Sequence, residues 1–468
     1  MAAWTAAACW WLRAQACSWF KDAAVVLAHG EGSRVRLEGC KIESLGGTCS
    51  SSDCVLARRG GRAELVRCDL SGASGSGLRS EGAGSYACAA RTTSQRNGCA
   101  GFAAELRGRL EADECTAQHN DVVGFLALQG GVTDTSRTCV ALGNTMHGFA
   151  AIGDSSRLTA GAGCRADRNG KHGFLVSGTA SQLDVGPGCK AERNGITGFS
   201  SVAGGRLQAG DGCEALHNAD CGFAADGQGS VLVTGPQCRA KGNKEVGFMA
   251  GGGASVELGE HNEADVNGNG IAVQGAGSKL STQAVCCARG NKSCGFKAVS
   301  SGVLEAGERC YAAGNADEGY VSSSGTLVIG AGSQAHVNMS HGFYATDGGM
   351  LDGSAGKLHA KGNGGTHRSH AGASSCHGFF CEGLLSRLLV GPCSKSVGSM
   401  SSGFAVSKQG DMIVASGAKP SENMDWGFYA SGRRSVIQVE PDARLEGNHK
   451  GGIKAEAGGK VNGIPKAK

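Results

Sequence analysis

Several features that define other protein classes are scarce in this 468-residue sequence. It contains no run of ~18 apolar residues, so no transmembrane helix is predicted. Its 45 basic and 41 acidic residues nearly balance, which argues against a nucleic-acid partner. Only 6 prolines and 5% aromatic residues are present, whereas glycine reaches 81 residues. Glycine at this frequency breaks helices, so a helical repeat protein is excluded.

A glycine followed by an aromatic or aliphatic residue recurs through most of the chain. Ten nearly equal intervals separate Phe102 from Phe343, which gives a period of about 24 residues, typical of a solenoid. The second residue of this step falls at Phe102, Phe125, Phe149, Phe174, Phe199, Phe223, Phe248, Ile271, Phe296, Tyr320, Phe343, Phe379, Phe404, Phe428 and Ile453.

Short alternating segments within each repeat indicate strands. Cys164 and Ala166, and then Phe174 and Val176, are spaced by two residues, which is the period of a strand. Three short strands in each unit of ~24 residues predict an all-β fold, a parallel β-helix solenoid of about 17 coils. We expect one such domain over residues 25–460, with an insertion loop at 364–375 and a flexible tail at 461–468.

An asparagine follows the first strand of most repeats at a fixed distance. Asparagine tolerates tight turns, and stacked amides can form hydrogen bonds from coil to coil. We therefore predict a structural asparagine ladder rather than a catalytic set. Its members are Asn120, Asn144, Asn169, Asn194, Asn218, Asn243, Asn267, Asn315, Asn363, Asn423 and Asn448.

With these motifs the chain resembles the right-handed parallel β-helix repeat proteins of the pectin lyase-like superfamily. The resemblance covers roughly residues 25–460. That superfamily includes polysaccharide lyases and hydrolases, carbohydrate-binding modules and non-catalytic repeat proteins that recognise other proteins. The sequence contains no Asn-Thr-Asp, Asp-Asp, Gly-His-Gly or Arg-Ile-Lys motif, so the resemblance points to the non-catalytic repeat type.

The first residues lie outside the repeat. In segment 1–24, Trp4, Ala8, Trp11, Gln15 and Trp19 fall at helical spacing, which predicts an amphipathic helix that caps the core. A targeting leader is the alternative, because no acidic residue occurs before Asp22.

The 22 cysteines do not resemble a disulfide framework. Twelve are assigned to one repeat position, where alanine or leucine stands in other repeats, as expected of a small buried side chain. They are Cys40, Cys68, Cys88, Cys115, Cys139, Cys164, Cys189, Cys213, Cys238, Cys287, Cys310 and Cys393. Reduced thiols favour a cytoplasmic protein, with secretion as the alternative.

The residue after each core aromatic should point outward, and this outward set is apolar. A contiguous apolar face is typical of an interaction site. The candidate binding residues are Leu126, Leu175, Met249, Val321, Tyr344, Phe380 and Tyr429. Loops or the N-terminal segment could instead cover this face.

Two acidic residues are the only catalytic candidates, and they are weak ones. Asp167 and Glu192 share an outward position on adjacent coils, so their Cα atoms should lie ~4.8 Å apart. Two close carboxyls could serve as acid and base in glycoside cleavage. The neighbouring arginines and lysines favour a salt-bridged surface instead.

The insertion loop holds a weak metal-ligand candidate. His367 and His370, followed by Cys376, are residue types that bind zinc, although a loop without metal is the simpler interpretation. No cofactor is predicted.

These observations favour a non-catalytic, monomeric scaffold that binds a protein or a polysaccharide along its apolar face. The alternative is a polysaccharide lyase or glycoside hydrolase. A substrate-recognition subunit is a third possibility, but few residues precede the repeat to form an adaptor-binding module.

Overall fold

The computed structural model describes residues 3–6, 12–14, 24–44, 52–364 and 376–463. They form an all-β, right-handed parallel solenoid of about 17 turns with three parallel sheets, as predicted. The chain divides into two compact units, Met1–Gly235 (unit 1) and Pro236–Lys468 (unit 2). Most turns contribute one strand to each of three sheets, called A, B and C, and within each unit the pairings join strands of successive turns.

Unit 1 contains the following strands. Sheet A comprises Ala3–Ala6, Arg34–Glu38, Arg62–Val66, Tyr86–Ala90, Arg109–Asp113, Val132–Arg137, Arg157–Ala162, Gln182–Val185, Arg206–Ala209 and Val231–Thr234. Sheet B comprises Leu12–Ala14, Lys41–Ser44, Asp69–Ser71, Thr93–Gln95, Thr116–Gln118, Val140–Leu142, Arg165–Asp167, Lys190–Glu192 and Glu214–Leu216. Sheet C comprises Val26–His29, Val55–Arg58, Leu78–Glu81, Ala100–Glu105, Val123–Leu128, His147–Ile152, Phe174–Ser177, Phe199–Val202 and Phe223–Asp226.

Unit 2 is built in the same way. Sheet A comprises Ser255–Leu258, Lys279–Thr282, Val303–Ala306, Thr326–Ile329, Met350–Gly353, Arg387–Val390, Asp411–Val414, Val436–Val439 and Lys460–Asn462. Sheet B comprises Arg239–Lys241, Glu263–Asp265, Cys287–Arg289, Tyr311–Ala313, Gln334–His336, His359–Lys361, Lys395–Val397 and Lys419–Ser421. Sheet C comprises Val246–Gly251, Asn269–Gln274, Phe296–Val299, Tyr320–Ser323, Phe343–Thr346, Phe379–Glu382, Phe404–Ser407, Trp426–Ser431 and Gly451–Glu456.

The repeated aromatic residues form the core of both units. Phe125 pairs in register with Phe149, and Phe149 pairs with Phe174, so their rings stack with centroids 4.8 Å apart. In unit 2, Phe343 and Phe379 stack at 4.7 Å across the insertion loop. Full burial of each such side chain stabilises the fold by about 1.5–3 kcal/mol, and stacking adds roughly 1 kcal/mol.

The asparagine ladder is confirmed. Asn169 donates from Nδ2 to Asn194 Oδ1 at 3.0 Å and to the Ala141 carbonyl at 3.1 Å. Its own Oδ1 accepts from the backbone N–H and the Nδ2 of Asn144. The sequence-based set was incomplete, because three further residues make the same contacts: Asn97, Asn291 and Asn338.

The ladder also explains the glycine before each core aromatic. A Cβ atom on Gly148 would lie 2.6 Å from the Gly173 carbonyl oxygen and 3.0 Å from Asn169 Nδ2. Only glycine fits between the ladder and the next turn, so the Gly-aromatic step reflects close packing of backbones.

The predicted N-terminal capping helix is wrong. The structure has strands at Ala3–Ala6 and Leu12–Ala14, which pair in parallel with the strands at Arg34–Glu38 and Lys41–Ser44. The described residues contain no helix. The edge of the solenoid offers unpaired backbone groups, and pairing with them overrides the helical spacing of the tryptophans.

Three cysteines were assigned to the wrong repeat position. Nine of the twelve are buried, but Cys88 and Cys287 are half-buried and Cys393 is exposed. Thr92, Cys286 and Ser394 take the inward position on those turns. No disulfide joins cysteines within the described ranges.

The part of the chain that the structure describes contains no helix that is long and apolar enough to cross a membrane. Residues 365–375, most of the predicted insertion loop, and 464–468, most of the predicted tail, lie outside the described residues.

Candidate ligand-binding site

The outer side of sheet C carries two columns of side chains rather than one. Strand alternation would place His341 on the same side as the core residue Phe343. Instead, the His341 ring lies 4.8 Å from the outward ring of Tyr344, so the alternation is interrupted at Gly342. Residues two before and one after each core aromatic therefore meet on the outer surface. We call this paired column the outer groove.

In unit 1 the outer groove is filled by its own apolar side chains. Leu126 and Leu175, two of the predicted binding residues, are only 4% and 5% exposed. They form a cluster with neighbours from both columns: Ala100, Ala103, Val123 and Ala150. The expectation that Leu126 and Leu175 face water is therefore wrong. Strand alternation does not predict that the residue two before each core aromatic points outward, and these residues pack against the residues one after it.

The groove of unit 1 begins with a buried ion pair that sequence reasoning missed. Arg79 Nε lies 2.8 Å from Asp53 Oδ2, and Asp53 is 2% exposed. Burial raises the pKa of Asp53 to about 6, although Arg79 acts against this rise. The two residues are 26 positions apart and belong to different turns, so their contact could not be predicted from the sequence.

In unit 2 the groove becomes aromatic. Tyr344 and Phe380 occupy adjacent turns, and their rings stack at 5.3 Å with planes 6° apart. His341 and His377 stack beside them at 5.5 Å, and His377 lies 4.7 Å from Phe380. The four rings form one continuous aromatic platform on the outer side of sheet C, in which Tyr344 is half-buried and the other three rings are buried.

A cleft of about 430 Å³ continues this platform toward the C-terminus of unit 2. On the Phe404 turn the groove residues are small, since Ser402 and Ala405 stand where adjacent turns carry rings. The residues that line the cleft are His377, Phe380, Ser401, Ser402, Ser407, Asp425, Trp426, Tyr429, Ser431, Lys450, Lys454 and Glu456. Its size lies within the range of about 300–1,000 Å³ that is typical of small-molecule sites.

Charged side chains frame the cleft in ion pairs. Lys450 Nζ lies 2.7 Å from Asp425, and Lys454 Nζ lies 2.7 Å from Glu456. Lys454 also lies over the Trp426 ring at 5.7 Å from its centroid, within reach of a cation–π interaction. The Tyr429 hydroxyl donates to Glu456, which orients the ring. The cleft thus combines aromatic faces with fixed hydrogen-bonding groups.

The same pattern holds Tyr344 in place. Its hydroxyl donates to Glu382, and Lys408 Nζ lies 2.9 Å from the same carboxylate. Burial acts to raise the pKa of Glu382, but the hydrogen bonds from Tyr344 and Lys408 outweigh it, so the pKa of Glu382 is lowered. Burial, together with the Glu382 contact, raises the pKa of Tyr344. Tyr344 therefore stays a hydroxyl donor near neutral pH.

The groove histidines are neutral structural residues. The backbone N–H of His377 donates to His341 Nδ1 at 3.0 Å, and that of Ser402 donates to His377 Nδ1 at 3.1 Å. A nitrogen that accepts a hydrogen bond cannot carry a proton. Burial accordingly lowers the pKa of His377 to about 4. His147 and His172 stack in the same way in unit 1, at 5.3 Å.

Residues 23–194 match the family described as the right handed beta helix region. The same three-sheet turn continues through the remaining described residues. By its fold, the chain is a right-handed parallel β-helix protein. No curated protein matches the chain. Among solved structures, this β-helix protein is similar to the crystal structure of a hyper-glycosylated TibA fragment, whose glycosylation is catalysed by TibC. The identity is 12%, over 91% of this chain and 98% of the fragment, with a TM-score of 0.17.

The other predicted binding residues of this β-helix protein lie in the groove of unit 2 with different exposure. Val321 and Phe380 are only 5% and 7% exposed, whereas Met249, Tyr344 and Tyr429 are half-buried. Val321 and Phe380 thus contribute mainly to packing. Trp426, which sequence analysis did not select, lines the cleft beside Tyr429. Its position two residues before Phe428 was the available signal.

The two catalytic candidates form part of an ion-pair network. Asp167 and Glu192 pair in register on adjacent strands of sheet B, as predicted. Arg165 bridges them, with Nη2 at 3.2 Å from Asp167 and 3.1 Å from Glu192. Arg193 adds a contact to Glu192 at 2.8 Å. Both carboxylates are thus engaged in ion pairs with arginines, as expected of a salt-bridged surface.

The metal-ligand candidates are not brought together within the described residues. His367 and His370 lie outside them, and Cys376 Sγ donates to the Met339 carbonyl at 3.7 Å. Burial raises the pKa of Cys376, which disfavours the thiolate that zinc requires. Sequence analysis missed a set that could hold a metal ion, Cys294, Asp317 and Glu318, whose ligand atoms lie within 4.8 Å of one another. Cys294 already donates to Glu318 at 3.2 Å.

Proposed function

We propose that this β-helix protein is a non-catalytic glycan-binding scaffold whose site is the aromatic cleft of unit 2. The observation that carries this proposal is the stacked platform of Tyr344 and Phe380, which leads into a cleft bounded by Trp426 and Tyr429. Sugar rings have apolar C–H faces and polar edges. The cleft offers matching groups, because aromatic faces alternate with serines and lysine–carboxylate pairs.

The half-buried aromatics are the residues that a sugar ring would contact. Tyr344 and Tyr429 are each fixed by a hydrogen bond from the hydroxyl to a glutamate, so little side-chain entropy is lost when a ligand binds. Phe380 stacks against Tyr344 and is buried, so it supports the platform more than it meets the ligand. Glycan binding is compatible with either compartment that the cysteine pattern leaves open.

The acidic residues that line the cleft are poorly suited to acid–base catalysis. Asp425 and Glu456 are each neutralised by a lysine at 2.7 Å. Burial acts to raise the pKa of Asp425, but Lys450 and Ser401 outweigh it, and the pKa of Asp425 is lowered. A general acid needs a raised pKa, so this carboxylate suits hydrogen bonding to a ligand better than proton donation.

A glycan array tests the proposal. We expect the wild-type protein to retain at least one glycan class, and the Tyr344→Ser/Tyr429→Ser double variant to lose it. The matched control is Tyr86→Ser, because Tyr86 is also half-buried and donates its hydroxyl to a glutamate, Glu111, at 2.7 Å, but lies on sheet A of unit 1. An array on which the wild type and the double variant give the same signals would overturn the proposal.

A further inference from the structure

A second surface of unit 2 lies on sheet B and changes character along the unit. In the first turns its outward charges are paired. Arg239 lies 2.9 Å from Glu263, and Arg289 lies 3.0 Å from both Glu263 and Asp265. Alternating charges of this kind are the stable arrangement for neighbouring strands.

In the later turns the charged side chains on the outer side of the strands are lysines. Lys395 pairs in register with Lys419, so consecutive strands ~4.8 Å apart place two like charges side by side, and His359 pairs with Lys395 on the preceding strand. Lys361 lies two residues after His359 on the same strand. Within the described residues, none of the three lysines forms an ion pair, although a backbone β-bridge places Glu446 beside Ser421, two residues after Lys419. Like charges in register destabilise a sheet.

Three exposed methionines lie on the Lys395 turn, on the Lys419 turn and on the turn before Lys361. Met339, Met400 and Met424 are 48%, 46% and 43% exposed, and they directly follow Asn338, Ser399 and Asn423 at the corner between sheets B and C. Methionine is flexible and polarisable, and it is common on surfaces that adapt to protein partners. We call Lys361, Lys395, Lys419, Met339, Met400 and Met424 the lysine–methionine surface.

We propose that the lysine–methionine surface binds an acidic peptide segment of a partner protein, in which carboxylates alternate with apolar side chains. The lysines would pair with the carboxylates, and the methionines would cover the apolar side chains. A nucleic acid or an acidic polysaccharide would leave the methionines exposed. The six residues include no aromatic ring on which a base or a sugar could stack.

Two histidines report on the positive potential of this surface. Burial lowers the pKa of His336, and His359 and Lys361 lower it further. Burial likewise lowers the pKa of His359, with Lys395 and Lys361 as the next causes. A bound acidic peptide would offset these cations, so the pKa values of both histidines should rise in the complex.

The test is fluorescence anisotropy with a labelled 12-residue peptide of repeated Glu-Glu-Leu. We expect saturable binding that weakens as salt increases. Lys395→Glu and Met400→Ser should each weaken it, the charge reversal by about tenfold or more. Lys279→Glu is the matched control, because Lys279 is exposed on sheet A of the same unit, and it should leave the affinity unchanged.

Competing probes decide the partner class. A Glu-Glu-Ser peptide should bind more weakly than the Glu-Glu-Leu peptide, since it lacks apolar side chains. The proposal is overturned if single-stranded DNA or dextran sulfate binds more tightly than the Glu-Glu-Leu peptide, or if Lys361→Glu and Lys395→Glu both bind the peptide like the wild type. Melting temperatures show that each variant is folded. The glycan array addresses different residues, so the two proposals can fail independently.

Discussion

Tyr344 and Phe380 stack on the outside of the solenoid at 5.3 Å, yet Phe380 is almost as buried as a core residue. The rings of His341 and His377, each two residues before a core aromatic, cover the Phe380 ring, with centroids 4.6 and 4.7 Å away. An outward position on this sheet is therefore not the same as an exposed one. The distinction separates residues that support the platform from those that a ligand can contact.

Removal of the Phe380 ring should destabilise the protein. We expect Phe380→Ala to lower the free energy of unfolding by about 3 kcal/mol, as for a buried aromatic. Val299→Ala, at a half-buried position of sheet C, should cost less than about 1 kcal/mol. Urea unfolding of the two variants measures the difference. Equal and small losses would show that the Phe380 side chain is not packed as described.

The asparagine ladder should be a major source of stability. Asn169→Ala removes four hydrogen bonds and leaves donors of Asn144 unsatisfied in the core, so we expect a loss of roughly 3 kcal/mol or more. Asn269→Ala is the matched control, because Asn269 accepts one bond, from the Cys294 N–H at 3.3 Å. A loss for Asn169→Ala no larger than that of the control would contradict the ladder.

A buried hydroxyl within the aromatic core is a defect that can be removed. Tyr320 is fully buried between Phe296 and Phe343, and among the described residues its hydroxyl has no hydrogen-bond partner. We expect Tyr320→Phe to raise the free energy of unfolding by about 1 kcal/mol, because an unsatisfied polar atom no longer has to be desolvated. A loss of stability would indicate that the hydroxyl does have a partner.

The buried histidines should make the fold sensitive to acid. Histidine in an unfolded chain titrates near pH 6.5, whereas the pKa of His377 is lowered to about 4 in the folded state. Between these values the unfolded chain binds more protons, so stability falls as the pH falls from about 6.5 to about 4. One such histidine accounts for roughly 3 kcal/mol.

His377→Gln tests this linkage. The variant should lose less stability between pH 7 and pH 4.5 than the wild type, as measured by thermal unfolding at each pH. His217→Gln, at an exposed position in unit 1, should follow the wild-type curve. Parallel curves for His377→Gln and the wild type would show that this histidine does not contribute.

The repeat made the fold readable from the sequence, because stacked copies place identical residues in identical environments. Phe149 and Asn169 could be assigned from spacing alone. Positions where the pattern is interrupted could not. The break at Gly342 turns His341 outward, and strand alternation gives no sign of it. Trp426 was missed for the same reason, since the residues that line the cleft with it come from neighbouring turns.

The helix predicted for the N-terminal segment was wrong for a different reason. Helical spacing of tryptophans is a local signal, whereas the strand at Ala3–Ala6 forms by pairing with residues about 30 positions away. Long-range backbone pairing outweighs local propensity at an open sheet edge. The exposure of the apolar face was misjudged in unit 1 because Leu126 packs on side chains from the next turns.

Isothermal titration of the glycan that the array identifies tests the central claim most directly. The account predicts that Tyr429→Ser weakens binding by about tenfold or more, because the ring that walls the cleft is lost. It predicts that Tyr86→Ser binds within about twofold of the wild type. If Tyr429→Ser and Tyr344→Ser both retain wild-type affinity, the aromatic cleft of unit 2 is not the binding site.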